Sequence, residues 1–505
     1  MVVAEKSSIG QKGFITLSVM LATIMQALDT TIANVALPHM QGSMSATQDQ
    51  ISWVLTSYIV ASAIFLPMTG FLAERFGRKQ LFLWSVIGFT FASMLCGAAQ
   101  NLPQIVLFRL LQGVFGAALV PLSQAILLDT YPKEKHSSAM AMWGVGVMLG
   151  PILGPSLGGW LTEYYNWRWV FYINLPLGIL TTVGILAFVK ETPVNNNRRF
   201  DLMGFAFLSL GIGALQMMLD RGEVLDWFNN PEIVIELLLA TFGFYLFVAH
   251  IFTYRQPFIE PVIFKDRNFS MGLVFMFVVG IILLATMALL PPFLQNLLGY
   301  PVLDVGLVMA PRGVGVMVAM MIVGKLAGKV DPRKQVVFGL SLTAFSLWEM
   351  TLFDLNISQW DIIRTSVVQG FGLGFVFVPL SAISFSTLNA RFRNEGTALF
   401  SLTRNIGSSI GISIVISQLQ QNTQKNHAAF ADYITSFNMP LKEAMQHGIW
   451  NIHSSQGLAA LNGEITRQAV TLSYLQDFRL MMWISLAALP LIVFLKAPVQ
   501  PAKKA

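Results

Sequence analysis

The side chains in this sequence best suited to chemistry are ionisable and amide groups inside long apolar stretches. Asp29 lies in the first stretch, with Gln26 one turn before it on the same helical face. Arg109 lies in a later stretch, with Gln112 one turn after it. An ionisable group at mid-membrane costs about 2.5–3.5 kcal/mol, so it normally faces a partner or a water-filled cavity. Asp29 and Arg109 both fall roughly 9–12 Å below the same surface, so we predict that they pair or compete for a proton, with the two glutamines as weaker substrate-contact candidates.

A second pattern is a row of glycines in the fifth apolar stretch. Glycine at every fourth position makes a groove that admits another helix at close range. Interleaved prolines remove backbone donors and bend the helix. We interpret the row as a seam between helices that shift, with static packing as the alternative. Its residues are Gly146, Gly150, Pro151, Gly154, Pro155, Gly158 and Gly159.

A short charged segment joins the second and third apolar stretches. Its glycines allow a tight turn, and its basic residues hold it at the inner surface. We predict a charge clasp through Glu74 that closes this side, although a solvated charge run is the alternative. The segment contributes Gly70, Glu74, Arg75, Gly77, Arg78 and Lys79, and three further charges, Arg312, Glu349 and Arg404, are transport candidates in the second half.

The elements that position these residues follow from composition. Apolar residues make up 54% of the 505 and charged residues only 11%. Backbone groups in lipid must be hydrogen-bonded within the protein, so apolar runs of about twenty residues must be helices. We therefore predict an all-α membrane protein with fourteen spans near 14–37, 50–73, 80–99, 104–128, 138–161, 167–190, 201–219, 233–253, 271–293, 303–326, 335–354, 361–385, 397–417 and 477–497.

Charge distribution predicts the orientation of the chain. Most of the 32 Lys and Arg residues fall in connections on the side of both termini, which the positive-inside rule places in the cytoplasm. The net charge of +6 reflects this bias and indicates no nucleic-acid partner. Cys96 is the only cysteine, so the chain forms no internal disulfide.

An internal repeat organises the chain. Segment 70–79 returns in altered form at 324–334, and Gln112 and Gly113 return as Gln369 and Gly370. A shift of about 255 residues shared by separate elements indicates two parallel homologous halves, as in transporters that alternate access around a central site. We predict three regions: a six-helix bundle (1–190), two inserted helices with linkers (191–268), and a second six-helix bundle (269–505) that includes a polar extracytoplasmic connection (418–476).

Other chemistry finds no support in the sequence. There is no phosphate-binding loop of the G-x-x-x-x-G-K-[ST] type, no zinc-protease histidine spacing and no G-x-S-x-G motif. We therefore predict neither an enzyme nor a bound cofactor or metal.

Taken together, the motifs at 28–38, 70–79, 109–113 and 146–159 resemble those of the fourteen-helix drug:proton antiporters of the major facilitator superfamily. Glu74 stands where that family usually has Asp. The resemblance implies the major facilitator fold, a proton-coupling role for Arg109, and an export role for the glycine-rich fifth helix.

Segments 215–222 and 167–174 further resemble the EmrB-type multidrug exporters. This implies a proton-driven pump for hydrophobic, often weakly acidic drugs in a bacterial inner membrane. It also implies a periplasmic EmrA-like adaptor and a TolC-like outer-membrane channel, with 418–476 and 220–232 as candidate adaptor contacts. Two alternatives remain: a dedicated exporter of one metabolite, such as a siderophore or amino-acid derivative, and a membrane enzyme or receptor.

Overall fold

The computed structural model describes residues 9–132, 135–194, 200–435 and 454–496. Within these ranges the chain is helical and contains no strand. The predicted linker segment 195–199 and the middle of the predicted connection, 436–453, lie outside the described residues.

Seventeen α-helices make up the described chain, numbered here in chain order. They are α1 (Ile9–Ser43), α2 (Gln48–Phe65), α3 (Met68–Phe76), α4 (Arg78–Ala98), α5 (Leu102–Gly116), α6 (Leu119–Thr130), α7 (His136–Tyr164), α8 (Trp169–Tyr172), α9 (Asn174–Phe188), α10 (Leu202–Arg221), α11 (Pro231–Thr253), α12 (Arg267–Pro292), α13 (Val302–Leu326), α14 (Pro332–Met350), α15 (Gln359–Ser386), α16 (Arg393–Asp432) and α17 (Ser455–Ala488). Short 3₁₀ turns occur at Trp227–Asn229, Pro261–Lys265, Ala390–Phe392 and Leu489–Phe494, and a π turn at Phe293–Leu297.

The prediction of an all-α, multi-pass membrane protein is confirmed, but the count of fourteen spans is not fully matched. In the described ranges, 12 helical spans are long and apolar enough to cross a membrane, with α5 and α6 forming one span and α8 and α9 another. The pair of α2 and α3, bent by 59°, makes a thirteenth. The predicted span 335–354 falls on α14, which is not among them. Arg333 and Lys334 lie in the first turn of that 19-residue helix and Glu349 nearly ends it, so any membrane-length window contains all three charges.

Helix packing is repeated between the two halves. In the first, α1 packs on α7, and both α2 and α4 pack on α5. In the second, α12 packs on α16, and both α13 and α14 pack on α15. The intervening α10 and α11 pack on each other, and α10 also contacts α2 and α16. The inserted pair therefore lies against both halves.

Helices α16 and α17 extend through much of the stretch that the sequence predicted as a connection. At 1.5 Å per residue, the 40-residue α16 is about 60 Å long, roughly twice the hydrocarbon thickness of a bilayer. Polar contacts join the projecting ends: Asn426 Nδ2 donates to Ser473 Oγ (2.9 Å), and the His427 ring contacts Asn462 Oδ1 (3.0 Å). The two helices thus form a polar pair that stands out of the bundle.

Candidate functional site

The first candidate residue, Asp29 on α1, lies inside the first bundle with its side chain 1% exposed. Its Oδ2 accepts a hydrogen bond from Arg109 Nη1 at 2.7 Å. Its Oδ1 accepts from Gln112 Nε2 at 2.8 Å and from Asn174 Nδ2 at 2.9 Å. Three helices, α5, α9 and α1, therefore meet at one carboxylate.

Arg109 on α5 is also 1% exposed, and two of its nitrogens donate hydrogen bonds to groups nearby. Nε donates to the Val54 carbonyl of α2 (3.0 Å), and Nη1 also contacts Gln112 Oε1 (2.8 Å). The guanidinium carbon lies 4.4 Å from the centroid of the Tyr58 ring, a cation–π contact. A buried ion pair held in this way is stable only while both partners keep their charge.

The structure thus brings Asp29, Arg109 and Gln112 together as one cluster. Gln26 is half-buried one turn earlier on α1 and does not bond the carboxylate. Sequence reasoning missed Asn174, the first residue of α9, which also donates to Ser93 Oγ at 2.9 Å. The sequence offered it only as the last residue of segment 167–174, where an asparagine follows aromatic and apolar side chains.

The glycine row of α7 packs against α1. A Cβ at Gly150 would lie 2.5 Å from the carbonyl carbon of Ala27, and one at Gly154 would lie 2.7 Å from Thr31 Cβ. Thr31 Oγ1 also donates to the Gly150 carbonyl at 3.1 Å. Glycine is therefore required at both positions for the two backbones to approach.

The other members of the row are less constrained. A Cβ at Gly146 would be closest to the flexible end of Met20, at 2.9 Å. One at Gly158 would make ordinary contact with Ile32 and Val35, and Gly159 has no such neighbour within 4 Å. Pro151 and Pro155 lie within the same helix. In the second half, Gly407 and Gly411 of α16 pack in the same way on α12.

The charged segment 70–79 spans α3 and the start of α4. Gly77 joins these helices with φ +86°, and a Cβ there would lie 2.7 Å from Glu191 Cδ. The Glu191 carboxylate accepts from the backbone N–H groups of Lys79 (3.1 Å) and Gln80 (3.2 Å). It therefore caps α4, where the helix dipole favours a negative charge.

Two ion pairs at the same end of the molecule share the carboxylate of Asp129 on α6. Arg78 Nη1 and Arg393 Nη1, from α4 and α16, each bind one oxygen of this carboxylate. Asp129 thereby joins the first half to the second. Gly70 lies against Glu395, with a Cβ there 2.9 Å from Glu395 Cγ. Glu74 and Arg75 are half-buried on α3, and the clasp role of Glu74 stays a prediction.

Helices α7 and α13 form a further contact between the halves. Ser138 Oγ donates to the Gly324 carbonyl at 2.9 Å, and Met320 fills the space beside Gly144. Trp143 stacks on Phe377 of α15 with ring centroids 5.9 Å apart. The face of α7 that contacts the second half is distinct from the glycine face that contacts α1.

The three candidate charges of the second half are not brought together. Glu349 pairs with Arg364 at 3.0 Å near the end of α14. Arg404 Nη2 reaches only the neighbouring Asn405 Oδ1 at 3.5 Å. Arg312 is 4% exposed, and its Nη2 donates to the Leu283 carbonyl at 3.4 Å.

In the repeated segment of the second half, 324–334, the charges at the start of α14 form a local ion pair. Arg333 Nη2 lies 2.8 Å from Asp331 Oδ2. The hydrogen bonds from Arg333 hold the pKa of Asp331 below its usual range. Another carboxyl that sequence reasoning missed, Asp477 of α17, is fully buried, and neither of its oxygens has a hydrogen-bond partner.

With this geometry established, comparison with known proteins gives the family. The profile of the major facilitator superfamily matches residues 19–412. The chain belongs to the major facilitator superfamily. It is 36% identical over 491 residues to the multidrug export protein EmrB of Escherichia coli, covering 96% of this chain and 95% of that protein. It is 35% identical over 487 residues to the fatty acid resistance protein FarB of Neisseria gonorrhoeae, covering 96% of each.

Solved structures agree on the fold. The human organic anion transporter MFSD10 superposes with a TM-score of 0.60 at 14% identity, covering 94% of this chain and 99% of that one. The predicted major facilitator fold and the resemblance to EmrB-type exporters are therefore confirmed. The chain is a multi-pass membrane transporter.

Proposed function

We propose that this transporter exports hydrophobic drugs in exchange for protons, with Asp29 as the proton-carrying group. The names of its relatives support multidrug export. The observation that carries the proton role is the Asp29–Arg109 pair, in which both side chains are 1% exposed. Adding a proton to Asp29 would leave Arg109 buried without a counter-charge, which costs several kcal/mol. Protonation therefore favours a different arrangement of the helices around the pair.

The packing supplies a path from the carboxylate to the interface between the halves. Asp29 lies on α1, two residues before Thr31, which bonds Gly150 of α7. The opposite face of α7 contacts α13 of the second half. A shift of α1 on protonation would thus be carried by α7 to the second bundle, because backbones in close contact move together.

Ion pairs between the halves at one end of the molecule indicate which side opens in this motion. Asp129, Arg78 and Arg393 hold the halves together at the end where α1 begins. We assign this end to the cytoplasm on the distribution of Lys and Arg, in a bacterial inner membrane. Segment 70–79 with Glu74 would then gate the cytoplasmic side and open when these ion pairs break.

We also propose that the pump works in a tripartite assembly with an EmrA-like adaptor and a TolC-like channel. The projecting pair of α16 and α17 is the adaptor site, since it extends on the side opposite the Asp129 cluster and is held together by polar contacts. The outer segment 220–232, where Arg221 pairs with Glu232, is the second candidate.

The decisive experiment measures dye export by inverted membrane vesicles with an imposed pH gradient. The intact chain should accumulate dye only with the gradient, and Asp29→Asn should accumulate none, while an exposed control, Asp354→Asn, should match the intact chain. Full gradient-dependent transport by Asp29→Asn would exclude the assigned role.

A narrower substrate range is the second candidate, because the fatty acid resistance protein FarB is nearly as similar as EmrB. Competition by structurally unrelated compounds for one labelled dye supports multidrug export. Competition by a single chemical series would instead indicate a dedicated exporter.

A further inference from the structure

The second bundle contains a polar cluster that corresponds to the Asp29 site, and no carboxylate of the described residues lies in it. Gln369 of α15 lies 257 residues after Gln112, and its Nε2 donates to Thr286 Oγ1 of α12 at 3.3 Å. In the first half the equivalent amide donates to Asp29. Ser366 stands three residues before Gln369, where Arg109 stands before Gln112. The carboxylate of Asp29 and the guanidinium of Arg109 are therefore replaced by the hydroxyls of Thr286 and Ser366.

A guanidinium nevertheless reaches this cluster from another helix. Arg312 of α13 directs Nη2 to the Leu283 carbonyl of α12, one turn before Thr286. The α13 and α15 backbones touch here, because Gly370 packs on the carbonyl of Arg312. A Cβ at Gly370 would also lie 3.2 Å from Arg312 Cγ, so the arginine stem is confined.

Three polar atoms of the cluster are buried without a hydrogen-bond partner: Arg312 Nη1, Ser366 Oγ and Gln369 Oε1. Within the described ranges, no carboxylate forms an ion pair with Arg312. A buried guanidinium without a counter-charge costs several kcal/mol and usually marks a functional site in a membrane protein. Planar guanidinium groups bind carboxylates through parallel hydrogen bonds.

We propose that Arg312, Ser366 and Gln369 bind the carboxylate of an amphiphilic organic anion, which takes the part in the second bundle that Asp29 takes in the first. The free Nη1 and the Ser366 hydroxyl donate to the carboxylate oxygens. Gln369 Oε1 accepts a hydrogen bond from the O–H group of the acid when the ligand enters in its neutral form. This assignment depends on the proposed export function in one respect only, which is that the bound anion is a transported substrate.

The test uses biphenyl-4-carboxylate and its neutral counterpart biphenyl-4-carboxamide, with the purified full chain in phosphatidylcholine nanodiscs and no ion gradient. Equilibrium binding should favour the carboxylate by roughly tenfold or more, the range for a charge-assisted hydrogen bond. Arg312→Gln should abolish this preference, Arg312→Lys should keep part of it, and Ser366→Ala should weaken carboxylate binding while leaving the charge in place.

Arg479→Gln is the matched control, because it removes an exposed arginine from the same bundle and should keep the preference. An unchanged preference in Arg312→Gln, or an equal loss in Arg479→Gln, would overturn the proposal. A third overturning result is Arg312-dependent affinity for added phosphatidylglycerol with carboxylate binding unaffected, since the anion would then be a lipid. Because the binding assay uses no ion gradient, its outcome does not depend on whether the protein couples transport to protons.

Discussion

Asp129 of the first half and Arg393 of the second form an ion pair across the interface between the bundles, and Arg78 shares the same carboxylate. Both arginine side chains are 10% exposed, whereas Asp129 is 36% exposed. The carboxylate therefore compensates two largely buried positive charges at once. Since these charges come from α4 and α16, separating the halves breaks at least one of the two pairs.

Asp129→Asn is expected to open this end of the molecule. A loss of one or two kcal/mol changes a two-state population by about 5–30-fold. Maleimide labelling of a cysteine at Ser138, in a Cys96→Ala background, should speed up by a comparable factor, because Ser138 is covered by Gly324 of α13. Asp354→Asn, an exposed change at the other end, should leave labelling as it was. Equal labelling rates in both variants would contradict the role of Asp129.

The Asp29–Arg109 pair should show strong energetic coupling. Removing one partner of a buried ion pair costs about 3–5 kcal/mol, because the other charge stays buried. Asp29→Asn and Arg109→Gln should each lower the free energy of unfolding in detergent, while the double variant should lose clearly less than the sum. Additive losses would show that the pair is not coupled. The double variant should still fail to transport.

The glycine row offers a matched pair of substitutions on one helix. Gly154→Ala places a methyl group against Thr31 of α1, and overpacking of this kind costs about 1–3 kcal/mol. Gly159→Ala meets nothing within 4 Å and should behave like the unmodified chain. The thermal unfolding temperature and the rate of vesicle transport should both fall in Gly154→Ala and stay unchanged in Gly159→Ala. Comparable behaviour of the two variants would argue against a required close approach of α7 to α1.

Shortening the projecting helices should separate adaptor binding from transport. Replacing residues 424–466 with a short Gly/Ser linker removes the Asn426 and His427 contacts but retains the bundle. Co-purification with an EmrA-like adaptor should be lost, and dye transport in vesicles should persist. His427→Ala removes one exposed hydrogen bond, worth about 1 kcal/mol, and should keep adaptor binding. Adaptor retained by the shortened chain would place the docking site elsewhere.

Local patterns were sufficient to predict several features. Apolar run length identified a membrane-spanning helical protein, since lipid leaves the backbone little alternative. Four-residue glycine spacing indicated a helix contact, because positions i and i+4 share one face. Both properties depend on neighbouring residues only. The charges at the ends of α14 show the limit of this approach, since the predicted span 335–354 did not take account of them.

The sequence by itself determined that a carboxylate and a guanidinium lie at membrane depth in the first half, because their apolar flanks place them there. Only the tertiary structure decided which groups meet them: Asn174 donates to Asp29 from 145 residues away, and Arg393 reaches Asp129 from 264 residues away. Those contacts depend on which helix faces turn toward each other and at what height. Packing of whole helices decides both, and no short stretch of sequence records it.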